Sequence, residues 1–406
     1  SFPNSVSVNK YTQLFSGYLL QPIIIYSMRF ITIILLVLAG SVLHSCSKKT
    51  NTTDLVQTPA QELYLGADLS YINEIENCGA QYRQNGQNID PYALFAAKGC
   101  NLVRLRLWHN PTWSGFSNYA DVKRSMQRAK AKNMPVLLDF HYSDTWADPS
   151  KQAVPAAWAS ITDPIILGDS VYNYTLNTLL KLGAENLTPS IVQVGNEINS
   201  EVLQPTAQPK YTINWTRNTL LINRGIQGVR EASRRLNKNI EVMLHIAQPE
   251  NAIWWFQQAN TANLTDFDWI GISYYPKWST TSLTNLPTAI QTLINTYRKK
   301  CMIVETAYPY TMQNADGSTN ILGQSALLSE YPATPDGQKN YMIQLVKQTL
   351  AGGGKGVVYW EPAWVTNTCT TPWATGSAWD NATFFNSQNQ NEALPVFDFF
   401  NQANYK

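Results

Sequence analysis

Two short stretches end an apolar run on a glutamate: IVQVGNEIN, carrying Asn196 and Glu197, and MIVETAY, carrying Glu305. A carboxylate beside a buried strand costs free energy unless it is paired, hydrogen-bonded or facing a solvated cleft. Two carboxylates that converge are the minimum equipment for glycoside hydrolysis, in which one protonates the leaving oxygen while the other attacks the sugar carbon or activates water. Taken singly, each glutamate is more simply a strand end in solvent or the partner of a barrel arginine. The same pattern at two matching strand ends favours catalysis. Composition is compatible with a glycan cleft, since 13 Trp and 21 Tyr can stack on the apolar faces of sugar rings, although most of them would fill a large core. A net charge of +2, from 30 basic and 28 acidic residues, points to no nucleic-acid partner.

The elements that must position these residues are legible from Leu63 onward. Eight apolar runs recur, at Tyr64–Ser70, Asn101–Trp108, Pro135–Tyr142, Ser190–Glu197, Ile240–Ala247, Asp268–Tyr275, Cys301–Tyr308 and Gly356–Ala363. Amphipathic segments such as YADVKRSMQRAKAKN separate them, with Lys and Arg on a solvated face. Strands alternating with helices predict an α/β fold, here a single (β/α)8 TIM barrel over residues 63–406. A doubly wound sheet would show a glycine-rich phosphate turn after its first strand, and GADLSYINE has none. Polar and aromatic residues gather at the C-terminal end of the runs: Asp68, Arg106, Trp108, His141, Asn196, Glu197, His245, Tyr274, Tyr275, Glu305, Trp360 and Glu361. That end is where a barrel carries its active site. Strands four and seven face each other across the mouth, so the two carboxyl groups can converge on one bond.

Residues before the barrel divide into three segments. Residues 1–27 contain no Met and no usable periodicity, and are expected to lie upstream of a true start at Met28. MRFITIILLVLAGSVLHSC then offers one Arg and an apolar run from Phe30 to Leu43, too short for a comfortable membrane span, which predicts a secretory signal over residues 28–45. A cysteine directly after such a run resembles a bacterial lipoprotein signal. That resemblance implies a lipid on Cys46, attachment to a membrane, and an outer-membrane or cell-surface location. Residues 46–62 read as a flexible tether. Cys78, Cys100, Cys301 and Cys369 match no zinc or disulfide framework; export permits disulfides, and Cys100 and Cys301 are expected as buried free thiols.

Several strings together resemble one family. GADLSYINEIE, LVRLRLWHNP, HYSDTWADPSKQAVPAAW, VGNEIN, ISYYPKW and VETAYPYT are similar to glycoside hydrolase family 53, the endo-β-1,4-galactanases of the retaining glycosidase clan A, from about Leu63 to the end. The resemblance implies Glu197 as general acid/base, Glu305 as nucleophile, and Asn196 on the sugar 2-hydroxyl. It gives Arg106 the task of keeping Glu305 ionised, with Arg104, deeper on the same face, as structural. His141 would bond the sugar at the cleaving subsite, and Tyr275 or Tyr274 would donate to Glu305. Trp360 would be the platform under the reacting sugar, with Trp146, Trp278 and Trp364 at further subsites. His245 receives no role. The polysaccharide is the expected partner and the chain is expected to act as a monomer.

A second constellation follows strand seven. NADGSTN places Asn314, Asp316, Ser318 and Asn320 at alternate positions around a glycine, a pattern of oxygen ligands that resembles a calcium loop. Bacterial members of the family complete such a loop from the strand-eight side, and TGSAWDN offers Ser377 and Asp380. The expectation is a structural Ca2+ and no organic cofactor; a polar turn without an ion is the alternative. Other functional readings kept open are a mannanase, xylanase or cellulase on the same barrel, and a glycan-binding lipoprotein without activity.

Overall fold

The computed structural model describes residues 63–206, 209 and 212–406; the signal, tether and lipid expectations for residues 1–62 lie outside the described residues. The strands are β1 (Tyr64–Asp68), β2 (Leu102–Leu107), β3 (Val136–Phe140), β4 (Ile191–Val194), β5 (Glu241–Ala247), β6 (Trp269–Ser273), β7 (Lys300–Glu305) and β8 (Gly356–Tyr359). They pair in parallel in chain order, and β8 returns to β1 to close the barrel. The expected (β/α)8 architecture is therefore present and the open doubly wound sheet is excluded.

Helices Pro91–Lys98, Tyr119–Ala131, Pro164–Ala184, Trp215–Leu236, Pro249–Thr261, Leu286–Tyr297 and Pro335–Ala351 connect the strands. Asp90, Asn118, Asp163, Asn214 and Thr334 stand at helix N-caps, and each side chain accepts a first-turn backbone N–H. After β8 a 3-10 segment, Pro395–Phe400, takes the position of an eighth helix and packs Phe397 and Phe400 against Phe95 and Phe384.

The predicted runs overshoot the strands at the rim, and the reason is local. β4 stops at Val194 because Gly195 (φ +85°) and Glu197 (φ +44°) turn into the left-handed region, where a strand ladder cannot continue. A Cβ on Gly195 would meet Ile198 Cγ2 at 2.5 Å, so glycine is required at the first of these two positions. The turn lifts Glu197 out of the strand and onto the mouth.

Inside the barrel, Leu102, Leu137, Ile191, Met243, Trp269, Met302, Val304 and Val358 form an apolar floor. One layer nearer the mouth come Asp68, Arg104, Asp139, Gln193, His245 and Ser273, each no more than 1% exposed. β7 carries an irregularity at this level: Ile272 pairs with Ile303 but Ser273 pairs with Glu305, so Val304 is skipped. Strict alternation would send Glu305 outward after the inward Val304; the bulge turns it inward as well.

Cys78 and Cys369 form a disulfide with Cα atoms 5.5 Å apart, a pairing that spacing had left open, while Cys100 and Cys301 are buried free thiols as expected. The bond joins the β1 connection to the segment after β8. A small sheet, ordered Phe385–Asn386, Glu392–Ala393, Arg83–Gln84 and Gln87–Asn88, ties the same two regions.

Candidate active site

The two glutamates meet at the mouth. An oxygen of Glu197, an oxygen of Glu305 and a ring nitrogen of His245 all lie within 4.8 Å of one another. Glu305 accepts from Arg104 Nη1 at 3.1 Å on Oε2 and from the Tyr275 hydroxyl at 3.0 Å on Oε1. Glu197 accepts from the Ser273 hydroxyl at 2.6 Å on Oε1. Burial and the neighbouring Glu305 charge push the Glu197 carboxyl well above the usual carboxylate range. Burial raises Glu305 too, but Arg104 and Tyr275 oppose the rise. Glu305 has a guanidinium and a hydroxyl to stabilise its charge whereas Glu197 has one hydroxyl, an asymmetry that suits one ionised and one protonated carboxyl.

Arg104, not Arg106, holds Glu305, which corrects the expectation from sequence. Its guanidinium reaches Asp68 at 2.9 Å, Asp139 at 2.8 Å, Asn196 Oδ1 at 2.7 Å and Glu305. Arg106 instead pairs with the fully buried Glu361 at 3.1 Å and lies over the rings of Tyr71, Trp108 and Trp146, the last at 4.2 Å. Two residues of strand separate the arginines, and only the deeper one is level with the inward-turned Glu305.

His141 is also reassigned. Its Nδ1 accepts the Ala147 N–H at 3.1 Å, so the ring proton sits on Nε2 and is directed to Asp139 at 3.1 Å. Both nitrogens are engaged by protein, so the ring contributes a wall and an anchor for the SDTWADP loop, not a hydrogen bond to sugar. Asn196 donates to Ala147 O at 2.8 Å, which leaves its second amide proton for a ligand. Of the two tyrosines, Tyr275 serves Glu305, and Tyr274 donates to Thr281 O at 3.1 Å.

Trp360 borders three adjoining hollows. One of about 510 Å³ runs past Glu197, Glu305 and Tyr275 to Trp278. A second of about 170 Å³ lies under Trp146, against Asn196 and His141. A third of about 370 Å³ is walled by Trp146, Trp364 and Trp373. Trp278 is 46% exposed and Trp373 54% exposed, so the row of hollows carries a solvent-facing tryptophan on either side of the acid pair. Trp146, Trp278, Trp360 and Trp364 thus all reach the cleft, and Trp373 joins them from a loop that strand patterning could not place.

Asp139 and Gln193, which were not singled out from sequence, and His245 and Ser273, which were given no role, did leave a signal. Each is a polar residue inside an apolar strand, as in LLDFH, IVQVG and MLHIA, and in phase with an inward neighbour. Such positions are tolerable only in a hydrogen-bonded network.

The second constellation gathers where the connections after β7 and β8 touch. Asn314, Asp316, Asn320 and Asp380 contribute side chains, and Ser318 and Ser377 join through their backbone N–H groups, the Ser377 hydroxyl donating to Trp364 O at 2.6 Å. Asp316 accepts from the Ser318 N–H at 2.9 Å, the Ser377 N–H at 2.8 Å and the Thr366 hydroxyl at 2.8 Å. Asp380 accepts from the Ala315 N–H at 2.9 Å. The Asn320 NH2 bridges Asn314 Oδ1 at 2.6 Å and Asp380 Oδ1 at 2.8 Å, while its own Oδ1 is buried without a partner. Turning that amide end for end would bring its orphan oxygen toward Asn314 and Asp380, an arrangement that a hard cation would hold. The donor set, all oxygen with two carboxylates, fits Ca2+ chemically.

Comparison with known proteins agrees with this geometry. Residues 64–400 match the model of glycosyl hydrolase family 53. An arabinogalactan endo-β-1,4-galactanase of Cellvibrio japonicus is 53% identical over 344 residues, covering 84% of this chain and 91% of that protein. An endo-β-1,4-galactanase of Bacillus subtilis is 38% identical over 313 residues, 74% of this chain and 70% of that one. The solved catalytic domain of a family 53 enzyme from Ignisphaera aggregans superposes with a TM-score of 0.77 at 32% identity, covering 86% of this chain and 98% of its own. A xylanase of a different family from Bispora, at 14% identity and a TM-score of 0.54, shares the fold alone. With its barrel, its paired rim carboxylates and a family match over most of its length, this chain belongs to glycosyl hydrolase family 53.

Proposed function

We propose that the protein hydrolyses internal β-1,4-galactosidic bonds of pectic galactan with net retention. The observation that carries this reading is the Glu197–Glu305 pair, with oxygens within 4.8 Å, in a row of adjoining hollows lined by tryptophans. A polymer can lie along such a row, and the short separation leaves no room for a water between nucleophile and sugar. Glu305 attacks the anomeric carbon as Glu197 protonates the departing glycosidic oxygen; the carbon–oxygen bond breaks and a glycosyl ester forms. The ester removes the Glu305 charge, so Glu197 now accepts a proton from water as that water attacks, and the ester bond breaks. Reducing-sugar release from linear β-1,4-galactan, with xylan, β-mannan and cellulose alongside, tests the reading. Short galacto-oligosaccharides of retained β configuration support it; cutting of another glycan alone would keep the barrel and overturn the substrate.

Calcium and the membrane are part of the same proposal. Asn314, Asp316, Ser318, Asn320, Ser377 and Asp380 would hold a structural Ca2+ that stiffens the joint between two cleft-bearing connections. Melting with added Ca2+ and with chelator tests this, and an unmoved transition sinks it. A lipid on Cys46, export, and an outer-membrane or cell-surface location follow from the Met28–Cys46 pattern, and among the described residues no helix is long and apolar enough to cross a membrane. Cys46→Ser should release the protein from the membrane fraction. Monomeric mass by light scattering is expected.

A further inference from the structure

A directed hydrogen-bond chain runs behind the general acid. It begins at Asp139, whose carboxylate can only accept, and Oδ1 takes a proton from Gln193 Nε2 at 2.7 Å. That contact identifies the NH2 end of Gln193, and its other proton reaches His245 Nδ1 at 2.9 Å. The Glu197 backbone N–H points at the same nitrogen at 3.4 Å. Asn196 Oδ1 also lies 3.0 Å from this nitrogen, but that oxygen already accepts from Arg104 Nη2 at 2.7 Å, and two N–H groups converge on Nδ1; we therefore assign Nδ1 as the acceptor and the ring proton to Nε2, 2.7 Å from Ser273 Oγ. Ser273 accepts there and spends its own proton on Glu197 Oε1 at 2.6 Å.

We propose that Ser273 and His245 are positioning residues that place the catalytic proton of Glu197 on Oε2. With Oε1 already receiving the serine proton, a second proton on that oxygen would face the first. The acid proton is left to Oε2, which no hydrogen bond among the described residues occupies, in a residue that lines the groove. After transfer, the same serine donor stabilises the carboxylate that must act as base. The chain shares Asp139 with Arg104, so one buried carboxylate anchors the supports of both catalytic residues. His245 stays neutral because burial and Arg104 disfavour its cation. The other groups that face Glu197 are Glu305, Asp148 and Arg104; those that face His245 are Arg104, Asp139 and His141.

The inference rests on the hydrolase reading, and the test separates the two. Ser273→Ala and His245→Gln would be assayed for kcat/KM against pH on β-1,4-galactotetraose and on 2,4-dinitrophenyl β-galactobioside, whose leaving group departs without protonation. Loss of the donor should lower kcat/KM on the tetraose about ten- to hundredfold, the loss of one charge-assisted hydrogen bond. The alkaline limb should move to higher pH, because the carboxylate form of Glu197 loses its stabilising donor. The dinitrophenyl substrate should be nearly unaffected at the glycosylation step, and Ser273→Thr should restore the limb. Equal losses on both substrates with the alkaline limb unmoved would overturn the proposal in favour of plain structural damage. If His245→Gln does not fold, Ser273→Ala decides alone. A wild-type protein that cuts neither substrate overturns the hydrolase reading itself.

Discussion

Arg104 and Glu305 meet at 3.1 Å through a guanidinium that also holds Asp68, Asp139 and Asn196. Three carboxylates around one arginine leave the cluster short of positive charge, and burial prevents water from making up the difference. The site thus keeps Glu305 ionised with little to spare. Arg104→Lys should cost about ten- to hundredfold in kcat/KM and move the acid limb of the pH profile upward, as Glu305 loses its main support. Arg106→Lys, at a residue that pairs with Glu361 and not with Glu305, should leave that limb in place and act on KM through Trp146. The two pH profiles, measured side by side, check the assignment.

Glu305→Gln should abolish hydrolysis while galactan binding, read by affinity electrophoresis, persists. Glu197→Gln should retain ester formation from a dinitrophenyl glycoside and lose it from the polysaccharide, since only the latter needs an acid. Mass spectrometry of trapped protein would show the adduct on Glu305. Its appearance on any other residue would displace the nucleophile assignment.

The wild-type profile should itself be bell-shaped, with the sign of each limb set by burial. Glu305 must be ionised, and its carboxyl is raised, so activity is lost as pH falls through a value above the ordinary glutamate range. Glu197 must be protonated, and burial and the Glu305 charge hold its carboxyl well above the ordinary glutamate range, so activity is lost as pH rises through that raised value. An acid limb at or below the pKa of a free glutamate would contradict this account of the site.

The Cys78–Cys369 bond spans 291 residues and anchors a segment that carries Trp373. Cys78→Ser/Cys369→Ser should lower stability by about 2–5 kcal/mol and Tm by several degrees. With the anchor gone, KM for long galactan should rise while turnover of a short activated glycoside is unchanged. Calorimetry and chain-length-dependent kinetics report the two effects separately.

The barrel, its rim and the two glutamates that meet at the mouth were readable from the chain alone. Apolar runs of strand length at regular spacing, each polar at one end, record a local rule: a parallel strand is buried on both faces until it reaches the mouth. Which arginine serves Glu305 was not readable, because that depends on a register shift between β6 and β7 that turns Glu305 inward beside Val304. Nor was the role of His141 or His245, since a ring nitrogen's duty is set by partners on neighbouring strands, not by its own sequence position. The disulfide and the groove's Trp373 belong to the same class, made by loops far apart in sequence that the closed barrel brings together. Sequence determined which residues are buried and which reach the rim; tertiary structure decided which of them touch, because contact distance is a property of register and closure that no single strand contains.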